Sequence, residues 1–378
     1  MPARHHARRS PGPSRRARLA PDPVTPSAPF GVYVHIPFCR RRCDYCAFAT
    51  WDDRPHLLAD YVVGLRREID AAVVAGLAPA ASVFFGGGTP SLLSAAQVAT
   101  VLAPLPLAPG AEVTLECNPE TVGPRELAAY RQAGVTRISL GAQSLVDRVL
   151  VALGRTHDAR TVIDAAAAVA TAGFESWNLD LIYGTVGETL DDWRQTLEVA
   201  VGLAPAHVSA YGLTVEAGTP LALDPARFPD DDDQADKYLA AEDALAAAGL
   251  ANYEISNWAR PGHVCRHNRC YWSQGDYRGF GCAAHSHQGG RRWWNVRTPE
   301  RYLALLAAGA PVEAGGEHLD DAGRRLEALQ LSLRTTEGVP VDALDTDGLD
   351  GLVARHHDRR VLTVAGRLLA NEVALRLR

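Results

Sequence analysis

Six short β-rich runs, at residues 32–36, 82–85, 112–117, 137–140, 178–182 and 208–213, alternate with Ala-, Leu- and Arg-rich stretches long enough to be helices. Parallel strands need long crossovers, usually helical, so the alternation predicts a parallel sheet with helices outside it. Six units within roughly 185 residues fall two short of the closed eight-stranded barrel, which predicts an open, partial (β/α)6 arc of the TIM type. In barrels of this kind function gathers at the C-terminal ends of the strands, and here each run leads into polar or glycine-rich residues.

Directly after the first run stand Cys39, Cys43 and Cys46 in a CxxxCxxC spacing. A cubic iron–sulfur cluster takes four ligands, usually thiolates, so three cysteines leave one iron open to a small molecule. The chemistry this suggests is S-adenosylmethionine (SAM) bound at that iron and split by one electron. The cofactors carry such radical chemistry, and the protein supplies geometry and exclusion of water. A zinc site is the rival, although tetrahedral zinc usually takes a closed set of four ligands and commonly CxxC pairs. The cysteines alone leave both open.

Directly behind the second run stand Gly86, Gly87, Gly88 and Thr89, and successive glycines let a backbone approach a ligand closely. A phosphate loop is the competing interpretation, but the Lys-Ser/Thr of a Walker sequence is missing. Glu116 closes the third run and Asp180 lies in the fifth. Carboxylates on apolar strands are costly unless paired or hydrogen-bonded, so both are expected to face a ligand across the barrel mouth. Gln143 and Arg155 extend the polar lining, Arg155 being suited to a carboxylate. Each of these taken singly also fits a structural polar group.

Residues 1–28 carry six arginines against Asp22, among prolines and serines, and have no core-forming pattern. They are expected to be a disordered tail without the apolar segment of a secretory signal. The rest of the chain is then more acidic than the overall charge of −6, which argues against a nucleic-acid partner. Seven cysteines without an export signal point to a reducing, cytoplasmic setting, in which clustered thiols bind metals more often than they form disulfides. Cys117 is expected to be a buried small hydrophobe.

The expected organisation is the tail 1–28, the barrel 29–215, a connecting region 216–297 and a small C-terminal α+β module 298–378. The connecting region opens with a helix over 234–248 and continues through a segment, 252–296, dense in aromatics, His, Cys and Gly. The module is expected to resemble a winged helix: two helices, a short third over 349–356, and a β-ribbon over 360–377.

Taken together, the cysteine loop, the glycine run and the Asn178-Leu-Asp180-Leu-Ile-Tyr-Gly184 strand resemble the radical SAM superfamily. Within it the chain is similar to the oxygen-independent coproporphyrinogen III oxidase-like group, over about residues 30–375. The resemblance implies a [4Fe-4S] cluster on Cys39, Cys43 and Cys46. It also implies a SAM site at Tyr33, Gly87, Gly88, Thr89, Glu116, Gln143, Arg155, Asp180 and Gly212.

Two features point to the heme-chaperone branch of that group. The oxidases carry a further cysteine two places beyond the third, where this chain has Phe48. In addition, His267-Asn-Arg-Cys-Tyr271-Trp272 matches an HNxxYW signature associated with heme binding. Imidazole is a common axial ligand of heme iron, and Tyr271 and Trp272 could cover a porphyrin face. Cys265 and Cys270 remain alternative ligands, and a packed core histidine is the competing structural interpretation. The expected function is thus to bind heme and pass it to an apo-hemoprotein acceptor, with a low-potential electron donor and peripheral contact with membrane-bound hemoproteins as further partners. The alternatives are a coproporphyrinogen III oxidase or a radical SAM methyltransferase.

Overall fold

The computed structural model describes residues 29–378, so the basic segment 1–28 lies outside the described residues. Strand and helix alternate as β1 (Phe30–Ile36), α1 (Leu58–Val74), β2 (Ala80–Gly87), α2 (Ala95–Leu102), β3 (Leu107–Cys117), α3 (Pro124–Gln132) and β4 (Arg137–Gln143). They continue with α4 (Asp147–Ala152), α5 (Ala159–Thr171), β5 (Ser176–Tyr183), α6 (Leu190–Gly202) and β6 (His207–Gly212). β1 to β6 are neighbours in chain order and all parallel, the partial barrel the alternation predicts.

Alternation along the strands explains the arc. Val32, Val34, Val83, Phe85, Val113, Leu115, Ile138, Leu140, Leu179 and Leu181 are buried. The intervening Ser82, Thr114, Ser139, Asn178 and Ser209 are buried as well. Parallel sheets are covered on both faces, so one face packs on the helices and the other forms a polar interior that needs hydrogen bonds. Asn178 Nδ2 donates to Ser139 Oγ (2.7 Å) and Ser209 Oγ donates to Asn178 Oδ1 (3.2 Å). Capping boxes start two of the outer helices, Ser94 with Gln97 at α2 and Thr189 with Asp192 at α6.

The second half contributes α7 (Asp231–Ala247), β7 (Ala251–Glu254), β8 (Asn257–Ala259), α8 (Arg266–Trp272), β9 (Tyr277–Phe280), β10 (His285–Gln288), β11 (Arg291–Asn295), α9 (Pro299–Ala307) and β12 (Glu313–His318). These strands extend both edges of the same sheet, giving the order β12-β11-β10-β9-β1-β2-β3-β4-β5-β6-β8-β7. β9 runs parallel to β1, and β8 antiparallel to β6. The aromatic segment therefore contributes five short strands as well as α8, and it sets Tyr277–Phe280 beside the first barrel strand.

A buried carboxylate ties this extension to the barrel. Glu68 of α1 accepts hydrogen bonds from Gly281 N–H (2.9 Å), Asn295 Nδ2 (2.9 Å) and Tyr302 Oη (2.6 Å). Burial raises its pKa, and these three donors oppose the rise.

The chain ends in α10 (Asp321–Leu333), β13 (Val339–Pro340), β14 (Val353–His356), β15 (Arg359–Leu362), α11 (Val364–Leu368) and α12 (Ala370–Ala374), packed around Leu333, Val339, Leu362 and Val373. Two expectations are corrected here. The short helix expected over 349–356 ends instead in β14, half of a hairpin whose turn places His357 at φ 56°. The ribbon expected over 360–377 is strand only to Leu362, after which Thr363 accepts from Gly366 N–H and starts a helix. No helix among the described residues is long and apolar enough to cross a membrane.

Candidate cofactor site at the barrel mouth

The loop beyond β1 is pinned at its neck. Cys39 N–H donates to Trp51 O (3.0 Å) and Trp51 N–H to Pro37 O (2.8 Å), closing the loop on itself. Gly88 N–H donates to Ile36 O (2.8 Å) and Thr89 N–H to Phe38 O (2.8 Å), fixing the neck to the end of β2. A Cβ on Gly88 would lie 2.5 Å from Phe38 O and 3.0 Å from Cys39 Sγ, so glycine is what allows this approach.

Cys39, Cys43 and Cys46 are half-buried and border one cavity of about 510 Å³ with Gly87, Gly88, Thr89, Glu116, Gln143, Arg155, Asp180 and Gly212. Burial raises the Cys39 and Cys46 thiol pKa values and the neighbouring thiols add to this, while hydrogen bonds from Thr89 and Thr50 oppose the rise at Cys39 and one from the Phe48 backbone opposes it at Cys46. Among the described residues no set of three His, Cys, Asp or Glu side chains converges closely enough for a single metal ion. The thiols instead border a space shared by several groups.

Glu116 and Asp180 face this cavity from β3 and β5. Burial pushes the Glu116 carboxyl up to about 8, the nearby Asp180 charge adds to this, and the Gly87 N–H at 3.2 Å works against it. Asp180 accepts from Ser139 Oγ (2.9 Å) and Asn178 Nδ2 (2.8 Å); burial raises it and these bonds oppose the rise. Neither acid has an ion-pair partner among the described residues, so the pair favours a ligand carrying hydroxyl or cationic groups.

Gln143 sits at φ 66°, at a register shift between β4 and β5 that turns the strand end toward the cavity. Arg155 donates to Cys43 Sγ (3.4 Å), Asn118 Oδ1 (2.8 Å) and Gly141 O (3.3 Å), and Asn118 Nδ2 donates to Thr89 Oγ1 (3.1 Å). Arg155, expected to meet a carboxylate, thus also ties the cysteine loop to the ends of β3 and β4. Asn118 was not singled out from the sequence, because an Asn before Pro reads as a turn residue. Its position one residue past Cys117 at a strand end was the available signal.

Four of the expected residues lie elsewhere. Tyr33 borders a neighbouring cavity of about 580 Å³. Tyr271 lies on that cavity and on a further one of about 510 Å³, which Trp272 also borders. His267 is 1% exposed. Its Nδ1 is 3.0 Å from Ser82 Oγ, its Nε2 is 2.8 Å from Tyr271 Oη, and its ring stacks on Phe84 at 5.3 Å. Burial pushes its pKa down to about 3. Both ring nitrogens are therefore engaged, and His267 is a packed core imidazole in this conformation. The alternative thiols Cys265 and Cys270 are also buried, with pKa values pushed up to about 12 and about 11.

The Radical SAM superfamily profile matches residues 33–200. A protein from Mycobacterium tuberculosis (strain ATCC 25618 / H37Rv) named heme chaperone HemW is 43% identical over 370 residues, covering 92% of this chain and 94% of the relative. The Escherichia coli (strain K12) heme chaperone HemW is 42% identical, covering 91% and 97%. The chain belongs to the HemW heme-chaperone family. The Bacillus subtilis (strain 168) HemW, 31% identical over 90% of this chain and 97% of its own length, lies further away in sequence. Among solved structures, coproporphyrinogen III oxidase (HemN) from Escherichia coli superposes with a TM-score of 0.81, covering 93% of this chain and 90% of that one. At 23% identity that likeness carries the fold and not the oxidase reaction.

Proposed function

We propose that this chain binds heme and hands it to apo-hemoproteins, with a [4Fe-4S] cluster on Cys39, Cys43 and Cys46 and SAM beside it governing the transfer. The similarity to relatives named heme chaperone HemW supports the heme role, and the shared cavity supports the cofactors: three thiols, a glycine-lined strand end and a buried acid pair open onto one space. The donor set fits a cluster with three protein ligands, and Gly88 leaves the backbone bare next to Cys39 Sγ. When bound, the cluster supplies a one-electron donor and an iron open to a small ligand.

The chain's own residues do the rest. Gly87 and Gly88 admit close approach, Glu116 and Asp180 meet hydroxyl and ammonium groups, and Gln143 and Gly212 complete the rim. Arg155 holds the loop through Cys43 and Asn118. A cytoplasmic setting, a low-potential electron donor and peripheral contact with membrane-bound hemoproteins complete the proposal.

Anaerobic reconstitution, followed by heme titration with and without SAM and transfer to a heme-depleted acceptor, tests it. Cluster absorption, stoichiometric heme binding and restored acceptor activity are expected. Coproporphyrinogen III converted to protoporphyrinogen IX at enzymatic rates would displace the carrier role in favour of the oxidase.

A further inference from the structure

Resting on the carrier role proposed above, we infer that the cargo porphyrin seats in the cavity that shares Ala47 and Phe48 with the cysteine cavity, its iron taken by His285. The cavity of about 580 Å³ falls within the roughly 300–1,000 Å³ typical of organic-ligand pockets. Its lining matches a porphyrin in kind. Phe48, 65% exposed, lies on it with Tyr271 and Tyr277, giving aromatic surface for a flat macrocycle. Arg297 is exposed on the same cavity with no ion-pair partner among the described residues, and is suited to a propionate. Arg292, also on the cavity, is already paired with Glu327 and Glu317.

A comparison of the imidazoles selects His285. The His35 ring nitrogens lie 3.0 Å from Tyr33 Oη and 2.9 Å from Ala49 O, and both nitrogens of His267 are likewise engaged. His285 lines the cavity, makes no side-chain hydrogen bond among the described residues, and has its ring set against Trp294 at 5.7 Å. Residues two apart on a strand share a face, so His287 of β10 lies beside it. His287 Nδ1–H donates to Gly275 O (3.0 Å), while Nε2 has no partner although the residue is only 5% exposed. His287 is thus fixed through Nδ1 and withdrawn from the surface, and the exposed His285 is the imidazole of this strand face that a flat macrocycle reaches. Two imidazoles on one strand face, aromatic walls and an unpaired guanidinium thus converge on one space.

The test is hemin titration of the full-length protein, read by Soret and visible bands and by electron paramagnetic resonance, in wild type, His285→Ala and His267→Ala. His285→Ala is expected to lose the imidazole-ligated spectrum and bind at least about tenfold more weakly. Free imidazole should restore the wild-type bands, and iron and sulfide content should stay unchanged. His267→Ala should keep the wild-type band positions even where it weakens retention. His285 is exposed and makes no side-chain hydrogen bond among the described residues, so the variant should fold; circular dichroism checks this, and His285→Gln serves as a second variant. A wild-type spectrum in both His285 variants overturns the assignment while leaving the carrier role standing, whereas a wild-type protein that binds no heme removes the carrier role itself.

Discussion

The acid pair gives the barrel mouth a pH response. Glu116 has a folded pKa of about 8 against an ordinary 4.5, so between those values the folded protein holds more protons than the unfolded chain. Stability of the ligand-free protein should therefore fall as pH rises through that window, Glu116 alone contributing at most about 1.4 kcal/mol per pH unit and Asp180, also raised, acting in the same direction. Glu116→Gln should flatten the profile in chemical denaturation run from pH 5 to 8.5; an unaltered slope would place the titrating group elsewhere. Glu116 and Asp180 were legible in the sequence because a carboxylate on an apolar strand is anomalous by itself. The second role of Arg155 was not, since its contacts with Cys43 and Asn118 join segments that only the fold brings together.

At the scale of elements, the cysteine loop depends on the β2 terminus it rests on. Gly88→Ala would drive a methyl into Phe38 O, costing about 1–3 kcal/mol and shifting Cys39. Anaerobically reconstituted Gly88→Ala should carry clearly less iron and sulfide than wild type, whereas Cys43→Ala should abolish loading with secondary structure retained. Helix α8 teaches the opposite lesson about motifs. Its His-Asn-x-x-Tyr-Trp pattern was readable, but the inward turn of His267 onto Ser82 and Phe84 comes from docking against β1 and β2, which spacing along the chain does not reveal. His267→Ala should cost about 1–3 kcal/mol by leaving Ser82 and Tyr271 unpartnered, measurable as a lower thermal midpoint. The six barrel strands were legible because alternation with helices is local. The strands of the second half were not, since β9 and β8 earn their place only by pairing with β1 and β6.

Across the whole molecule, Glu68 is the buried junction between the two halves. Glu68→Ala strips Gly281, Asn295 and Tyr302 of their shared acceptor and should destabilise the protein by about 2–4 kcal/mol. Hydrogen exchange should quicken first across β9 to β12; uniform loosening of the entire sheet would argue against so local a hinge. The strand order carries a further consequence, for biosynthesis. β1 lies between β2 and β9, whose residues are separated by about half the chain. While the ribosome is still extending the polypeptide, β1 can pair on one side only, and its other edge stays open until residue 277 has emerged. The cysteine cavity is lined only by residues 39–216, so the thiols can be framed while that edge is still bare, and the interval before β9 arrives is when the nascent polypeptide is most open to strand addition.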